Sequence, residues 1–475
     1  LGGNLNSNKT LTQGYSAQGF PEGDFVYPSF SNGYPEGGSP TYYENTSRSM
    51  NGYFNLGYSF DDRYLMDFSL RENGSSVFGA SKRYIGTWSV GLGWNLHKER
   101  FIADHLTWID FLKLRASIGN PGNQNFSSSK TLTTFNFQLA SMNYFGMGAV
   151  LNQLGNPDLD WQITLDKNIG IDMTLIDKRL NITADYYHKV TDPLLINISM
   201  PLSSGTSSYL TNMGKQISQG LTLSASYYII QKLDQRFSWL VRGNLRTQKT
   251  KLDKIGNKLD ELNKSGQGHN TVRYYNGADP DDIWAVKSAG IDPSTGRELF
   301  YDKEGNYTYD FSYDNEVICG NTRPKIEGVI GTSLNYKGFS VSMNFRYQTG
   351  ASVFNEALFN KVENISVSGL NKNQDKRALY ERWQNPGDKV RFKDIANAAS
   401  TPMSSRFIQK ENVLSMESVY VGYEFYEGWI KKIGLSNLKI QASMRDVFRA
   451  STIKSERGTL YPFARSLELG LSFNF

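Results

Sequence analysis

Hydrophobic and polar positions alternate strictly over the last eleven residues, Arg465 to Phe475. Leu467, Leu469, Leu471, Phe473 and Phe475 fall on one face, and Ser466, Glu468, Gly470, Ser472 and Asn474 on the other. A period of two marks a strand with one apolar side. The pattern recurs upstream. Tyr64, Met66, Phe68 and Leu70 oppose Asp67, Ser69 and Arg71, and Leu112, Leu114, Ala116 and Ile118 oppose Lys113, Arg115 and Ser117. Leu438, Ile440, Ala442 and Met444 likewise oppose Lys439, Gln441, Ser443 and Arg445. Followed along the chain, the alternation predicts strands near 50–60, 64–71, 86–96, 110–119, 161–175, 180–190, 215–230, 236–252, 325–336, 339–350, 412–426, 437–449 and 465–475. Several are ten residues or longer, about what a tilted strand needs to cross a bilayer.

Alternation alone does not separate a soluble sandwich from a membrane barrel, because both have one apolar and one polar face. The connections do. Short ones, such as Asp61-Asp62-Arg63, Ile176 to Arg179, Gln231 to Gln235 and Lys337-Gly338, with 97–109 and 427–436 somewhat longer, take turns with long ones at 72–85, 120–160, 191–214, 253–324, 351–411 and 450–464. Tight turns at one rim and long loops at the other is the outer-membrane pattern, with the long loops extracellular. Aromatics such as Tyr58, Phe60, Tyr64, Tyr336 and Phe339 flank the tight turns, where an interfacial girdle would lie. The expectation is an all-β, transmembrane antiparallel barrel of about thirteen strands over 50–475, with 1–49 an extracellular loop segment. An odd count departs from the even-numbered bacterial barrels, so the reading takes the chain as part of a larger barrel.

Composition narrows the function classes. With 475 residues, 28 Tyr, 27 Phe and mean hydropathy −0.48, the chain has no apolar run long enough for a membrane helix, and half-apolar barrel strands average to soluble-looking values. The net charge of +5, with both signs interspersed, gives no support to nucleic-acid binding. Cys319 stands alone, the four histidines lack ligand spacing, and no nucleophile–base set is evident, so neither an enzyme nor a resident metal is expected. Gly91-Leu92-Gly93-Trp94 lacks the third glycine of a phosphate loop. Asp279, Asp281 and Asp282, or Asp302 to Asn306, could hold Ca²⁺ in a long loop; turn chemistry is the simpler role. Leu1 to Asn4 have no leader-like character, so the chain reads as mature or as starting mid-protein.

Gly52-Tyr53-Phe54-Asn55-Leu56-Gly57-Tyr58-Ser59-Phe60-Asp61-Asp62-Arg63-Tyr64-Leu65 and Ser69-Leu70-Arg71 resemble the SusC-like branch of TonB-dependent transporters. So do Ser89-Val90-Gly91-Leu92-Gly93-Trp94, Asp185-Tyr186-Tyr187, Gly290-Ile291-Asp292-Pro293 with Thr295-Gly296, and Tyr461-Pro462 with Arg465-Ser466. Asn73 and Val77 depart from the family's usual Asp and basic residue. The resemblance implies a barrel of about 22 strands in the outer membrane of a Bacteroidota-type cell, holding an N-terminal plug. It implies a SusD-like surface lipoprotein lid, dimers of such units, energy from TonB-ExbB-ExbD, and import of oligosaccharides, with peptides the alternative cargo. Plug and TonB box are not in this sequence. From a different class, a passive pore or an adhesin barrel would share the strand pattern.

On this reading Asp67, Arg71, Lys113, Arg115, Asp185, Lys189, Arg346 and Arg445 face the lumen, where they meet water, plug or substrate. Tyr144, Phe145, Tyr274, Tyr275, Trp284 and Trp383, on the long loops, are the candidates for stacking on a substrate or packing against the lid; packing within the loops competes with both roles.

Overall fold

A computed structural model gives the fold. It describes every residue except 24–26, 37, 39, 77–82, 124–130, 201, 207, 233, 366–368, 370, 372–373, 395, 398, 426–427 and 454–464. Val77 and the Tyr461-Pro462 motif lie outside the described residues.

Fourteen strands form one antiparallel meander whose spatial order is the chain order. They are β1 (Gly2–Gly14), β2 (Thr41–Phe60), β3 (Tyr64–Ser75), β4 (Tyr84–Asn95), β5 (Ile109–Gly119), β6 (Gln162–Leu175) and β7 (Leu180–Thr191). The second half comprises β8 (Lys215–Lys232), β9 (Phe237–Asp253), β10 (Ile326–Tyr336), β11 (Phe339–Phe354), β12 (Ile408–Phe425), β13 (Asn437–Ser451) and β14 (Leu467–Asn474). Among the described residues β1 and β14 are the two edges of the sheet and are not paired with each other.

Two expectations are corrected. Residues 1–49 are not a loop: Gly2–Gly14 is a strand, paired in unbroken register with Thr41 to Tyr53, and β2 begins nine residues before the sequence pattern starts. Among the described residues the meander therefore counts fourteen strands, with the two-residue Gly122–Asn123 pairing beside it, and the argument from an odd number falls. Strand 50–60 has its partner within this chain. The pattern missed β1 because its two faces hardly differ. Asn4, Asn6, Asn8 and Thr10 line one side, and Leu5 and Leu11 share the other with Gly3, Ser7 and Lys9. A ladder of backbone hydrogen bonds needs no apolar alternation to form.

The connections sort by rim as the sequence suggested. Lys337 and Gly338 both have positive φ, 45° and 91°, the mirror-image turn that follows the right-handed twist of a two-residue hairpin. At the same rim, the Trp94 indole and the Tyr64 hydroxyl both donate to Glu99 Oε1 at 3.0 Å. Each ring thus keeps its body on the apolar band and its polar edge satisfied.

Among the described residues the apolar faces of the strands are largely uncovered by the rest of the chain. Leu469 is 78% exposed, and Leu56, Met66, Leu92, Ile169, Ile330, Ile440 and Leu471 are exposed as well. A continuous apolar band of this kind is far beyond what a water-soluble surface tolerates; lipid is its solvent. The buried apolar clusters lie instead at the opposite rim. Leu194, Met213, Leu252, Ile255 and Leu259 form one, and Leu358, Val362, Ala378, Phe392 and Phe407 form the other.

Candidate functional site

The polar face of the sheet carries an ion-pair ladder across β5, β6 and β7. Antiparallel register places Arg115 beside Gly170, with Asp172 and Asp185 on the flanking positions of the same face. Arg115 Nε donates to Asp172 Oδ2 at 2.6 Å and Nη2 to Asp172 Oδ1 at 3.0 Å, while Nη2 also reaches Asp185 Oδ1 at 3.0 Å. Gly170 leaves the room this needs: a Cβ there would lie 2.4 Å from Asp185 Oδ1. Lys189 pairs with Asp166 at 2.8 Å towards the long-loop rim. On β11, Arg346 grips Glu417, which a bulge in β12 turns onto the polar face.

Of the eight charged residues expected on the polar face, Arg115, Asp185, Lys189 and Arg346 are thus built into the wall. Asp67, Arg71, Lys113 and Arg445 lie on it without an ion pair among the described residues. Arg71 borders two adjoining cavities of about 300 Å³ each, one shared with Asn73, Thr87 and Trp161, the other with Ser117 and Asp166. The first has mainly polar walls, and the second, with Trp88 and Ile118, mainly apolar ones.

At the long-loop rim, segments 254–325 and 355–407 are interlocked. Arg406 Nη2 lies 2.7 Å from Glu298 Oε2 and 2.6 Å from Glu363 Oε1. Glu363 also accepts from the Thr401 hydroxyl at 2.9 Å, and Glu298 from the Ser404 hydroxyl at 2.5 Å. Arg382, buried beside them, caps the carbonyls of Val362, Glu363 and Lys393. Burial pulls the Arg406 pKa down, but Glu363 and Glu298 outweigh it and hold the guanidinium charged beyond its ordinary range. Burial pushes Lys393 and Arg382 down. Within 254–325, Arg273 is buried in a bidentate pair with Glu316, 2.8 and 2.7 Å; burial raises the Glu316 carboxyl and the pair with Arg273 opposes it.

The six loop aromatics divide. Trp383 joins the two segments: its indole donates to Pro293 O at 2.8 Å and its ring covers Gly296, whose φ of 68° favours glycine and whose missing Cβ makes the space. Tyr274, partly buried, packs on the cluster that includes Leu252 and Leu259. Tyr275 and Trp284 pack ring to ring, centroids 4.9 Å apart, with Tyr275 partly exposed. Tyr144 and Phe145, 95% and 92% exposed, form an edge-to-face pair at the tip of the hairpin 134–153. Tyr144, Phe145 and Tyr275 thus keep exposed surface, Trp284 is partly buried, and Trp383 and Tyr274 pack within the loops.

The aspartates considered for Ca²⁺ have protein donors. Asp279 and Asp281 face Arg323, and Asp282 accepts from Asn321 and the Asp279 amide. Asp302 accepts from Asn306. Asp292 takes the Ser294 amide and hydroxyl, the Thr295 hydroxyl and the Tyr309 hydroxyl, and these hold its carboxyl well below the ordinary range. Among the described residues no three acidic, His or Cys side chains converge as a metal site. The sequence signalled none of the Glu298–Glu363–Arg406 cluster: its members are up to 108 residues apart and share no motif.

Comparison with known proteins agrees with this architecture. Residues 1–370 match the family described as "TonB dependent receptor-like, beta-barrel". The chain is 27% identical over 470 residues to TonB-dependent receptor P39 of Formosa agariphila, covering 88% of this chain and 44% of that protein. It is 26% identical to TonB-dependent receptor SusC of Bacteroides thetaiotaomicron, covering 90% and 44%. The chain thus spans less than half the length of these curated relatives. In fold it is similar to the structure of the RagAB peptide transporter, with TM-score 0.83 at 22% identity over 95% of this chain and 49% of that one.

Proposed function

We propose a function from one premise: the chain belongs to the family of TonB-dependent receptor-like β-barrels. Its strands lie in the outer membrane, with the ion-paired face towards the lumen. The proposed activity is energy-dependent import of oligosaccharides, with this chain as barrel wall and extracellular rim. A plug, a SusD-like lipoprotein lid and the TonB complex complete the machine, and pairs of such units are its proposed assembly.

The observation that carries this reading is the fusion of segments 254–325 and 355–407 into one body through Arg406, Glu298, Glu363 and Trp383. Long loops ordinarily move independently. Two that share a buried ion cluster make a stiff platform, which suits the fixed member of a hinged lid. The exposed Tyr144–Phe145 pair and the partly exposed Tyr275, packed on Trp284, offer apolar faces to sugar rings or to the lid. Peptide import is the alternative cargo.

Cells carrying the complete protein should accumulate labelled oligosaccharide saturably, and lose this when the proton-motive force is collapsed. Removing 355–407 should abolish lid co-purification and uptake while heat-modifiable barrel migration persists. Accumulation of labelled peptides alone would transfer the reading to peptides. Passage indifferent to energy would make the protein a passive pore, and surface binding without uptake an adhesin.

A further inference from the structure

The outer, apolar face of β1–β4 carries a notch of about 410 Å³ at its long-loop end. Cross-strand register aligns Leu5, Met50, Gly74 and Tyr84 on that face at one level. Gly74 makes the hollow: a Cβ there would lie 2.6 Å from the Tyr84 ring and 3.0 Å from Met50 Cγ. The Tyr84 hydroxyl leans towards Met50 Sδ at 3.9 Å.

Depth locates the notch in the bilayer. On β2 the outward residues between the turn-side Phe60 and Met50 span about 25 Å along the normal for a tilted strand, the height of a barrel's apolar band. Met50 therefore marks the outer boundary of the hydrocarbon. Arg48, one pleat above on the same face, and Arg83 border the notch at headgroup level. Neither guanidinium has an ion-pair partner among the described residues. Of the nearby acids on this face, Glu44 is held by Lys9 at 2.7 Å, and Glu72 lies one pleat below, against Gly86.

We propose that this notch binds a phosphate-bearing acyl lipid of the outer leaflet, with one chain against Leu5, Met50 and Tyr84 and the phosphate between Arg48 and Arg83. An arginine pair at the interface suits a phosphate through forked, charge-assisted hydrogen bonds, and the hollow below is too apolar for a soluble anion. The inference does not depend on what the barrel transports.

Native mass spectrometry of the complete, detergent-purified protein tests it, with phosphatidic acid and diacylglycerol of the same chains as probes. Wild type should retain phosphatidic acid at least tenfold better than diacylglycerol, and inorganic phosphate should not displace it. Arg48→Glu with Arg83→Glu should remove the preference, and Arg48→Lys with Arg83→Lys should largely keep it. Ser7→Trp, which fills the notch and leaves both arginines, should also abolish retention, with unchanged heat-modifiable migration showing a folded barrel. Equal retention of the two lipids by wild type, an undiminished preference in the charge-reversed protein, or displacement by inorganic phosphate would overturn the proposal.

Discussion

Glu298 and Arg406 belong to different long loops and meet at 2.7 Å, with the fully buried Glu363 on the other side of the same guanidinium. Removing one member leaves uncompensated buried charge. Arg406→Met should cost about 3–5 kcal/mol of loop-body stability, and neutralising all three residues together should cost less than that single change. Hydrogen exchange should report the loss in both 281–300 and 355–407, and not in β5–β7. Faster exchange confined to 355–407 would show that the loops are not energetically joined.

On the polar face of the sheet, Arg115 holds Asp172 and Asp185 together. Arg115→Met leaves two carboxylates facing each other, whereas Asp172→Asn leaves the Asp185 pair in place. The first should destabilise the barrel by about 2 kcal/mol, between an exposed and a buried pair, and the second by less, in urea unfolding from vesicles. Equal effects would argue against a shared site.

Leu471 lies on the apolar face beside Ile440, and Ser472 on the polar face beside Lys439. Leu471→Arg should cost about 2–4 kcal/mol near the bilayer midplane. Ser472→Arg adds only like-charge repulsion from Lys439 opposite, at most about 1 kcal/mol. Folding into lipid vesicles measures both, and equal penalties would reverse the face assignment.

Asp292 and Lys393 both make stability rise with pH, in two separate windows. The folded-state pKa of Asp292 is depressed, first by the Ser294 hydroxyl and then by Tyr309. Its stabilisation is therefore present above the unfolded carboxylate value and lost as pH falls through the folded one. Carboxyl NMR should find Asp292 still ionised where exposed aspartates, near about 3.9, are half protonated. The folded-state pKa of Lys393 is lowered by burial. The unfolded chain then binds more protons between the folded and unfolded values, so stability should rise with pH across that alkaline window. Lys393→Met should flatten that rise in thermal melts; an unchanged slope would place the titration elsewhere.

The barrel was legible in the sequence because lipid and lumen impose opposite demands at every second residue. Leu467 to Phe475, or Tyr64 to Arg71, carry that demand in a period of two, and neighbouring strands pair in chain order, so local pattern and topology coincide. Where the demand is absent, the signal is too. Gly2–Gly14 forms a full strand with two nearly equivalent faces, held by backbone hydrogen bonds that leave no mark in side-chain pattern. The polar face could be assigned from alternation, but not its pairing: Arg115 with Asp172 and Asp185 depends on register across three strands, and Arg346 with Glu417 on a bulge. In the loops, residues such as Trp383 and Tyr275 look alike as exposed aromatics. Only packing shows that one clasps two loops and the other is open to a partner. The union of Glu298, Glu363 and Arg406 was decided wholly by tertiary structure, because a buried ion cluster is selected by mutual desolvation in space and not by spacing along the chain.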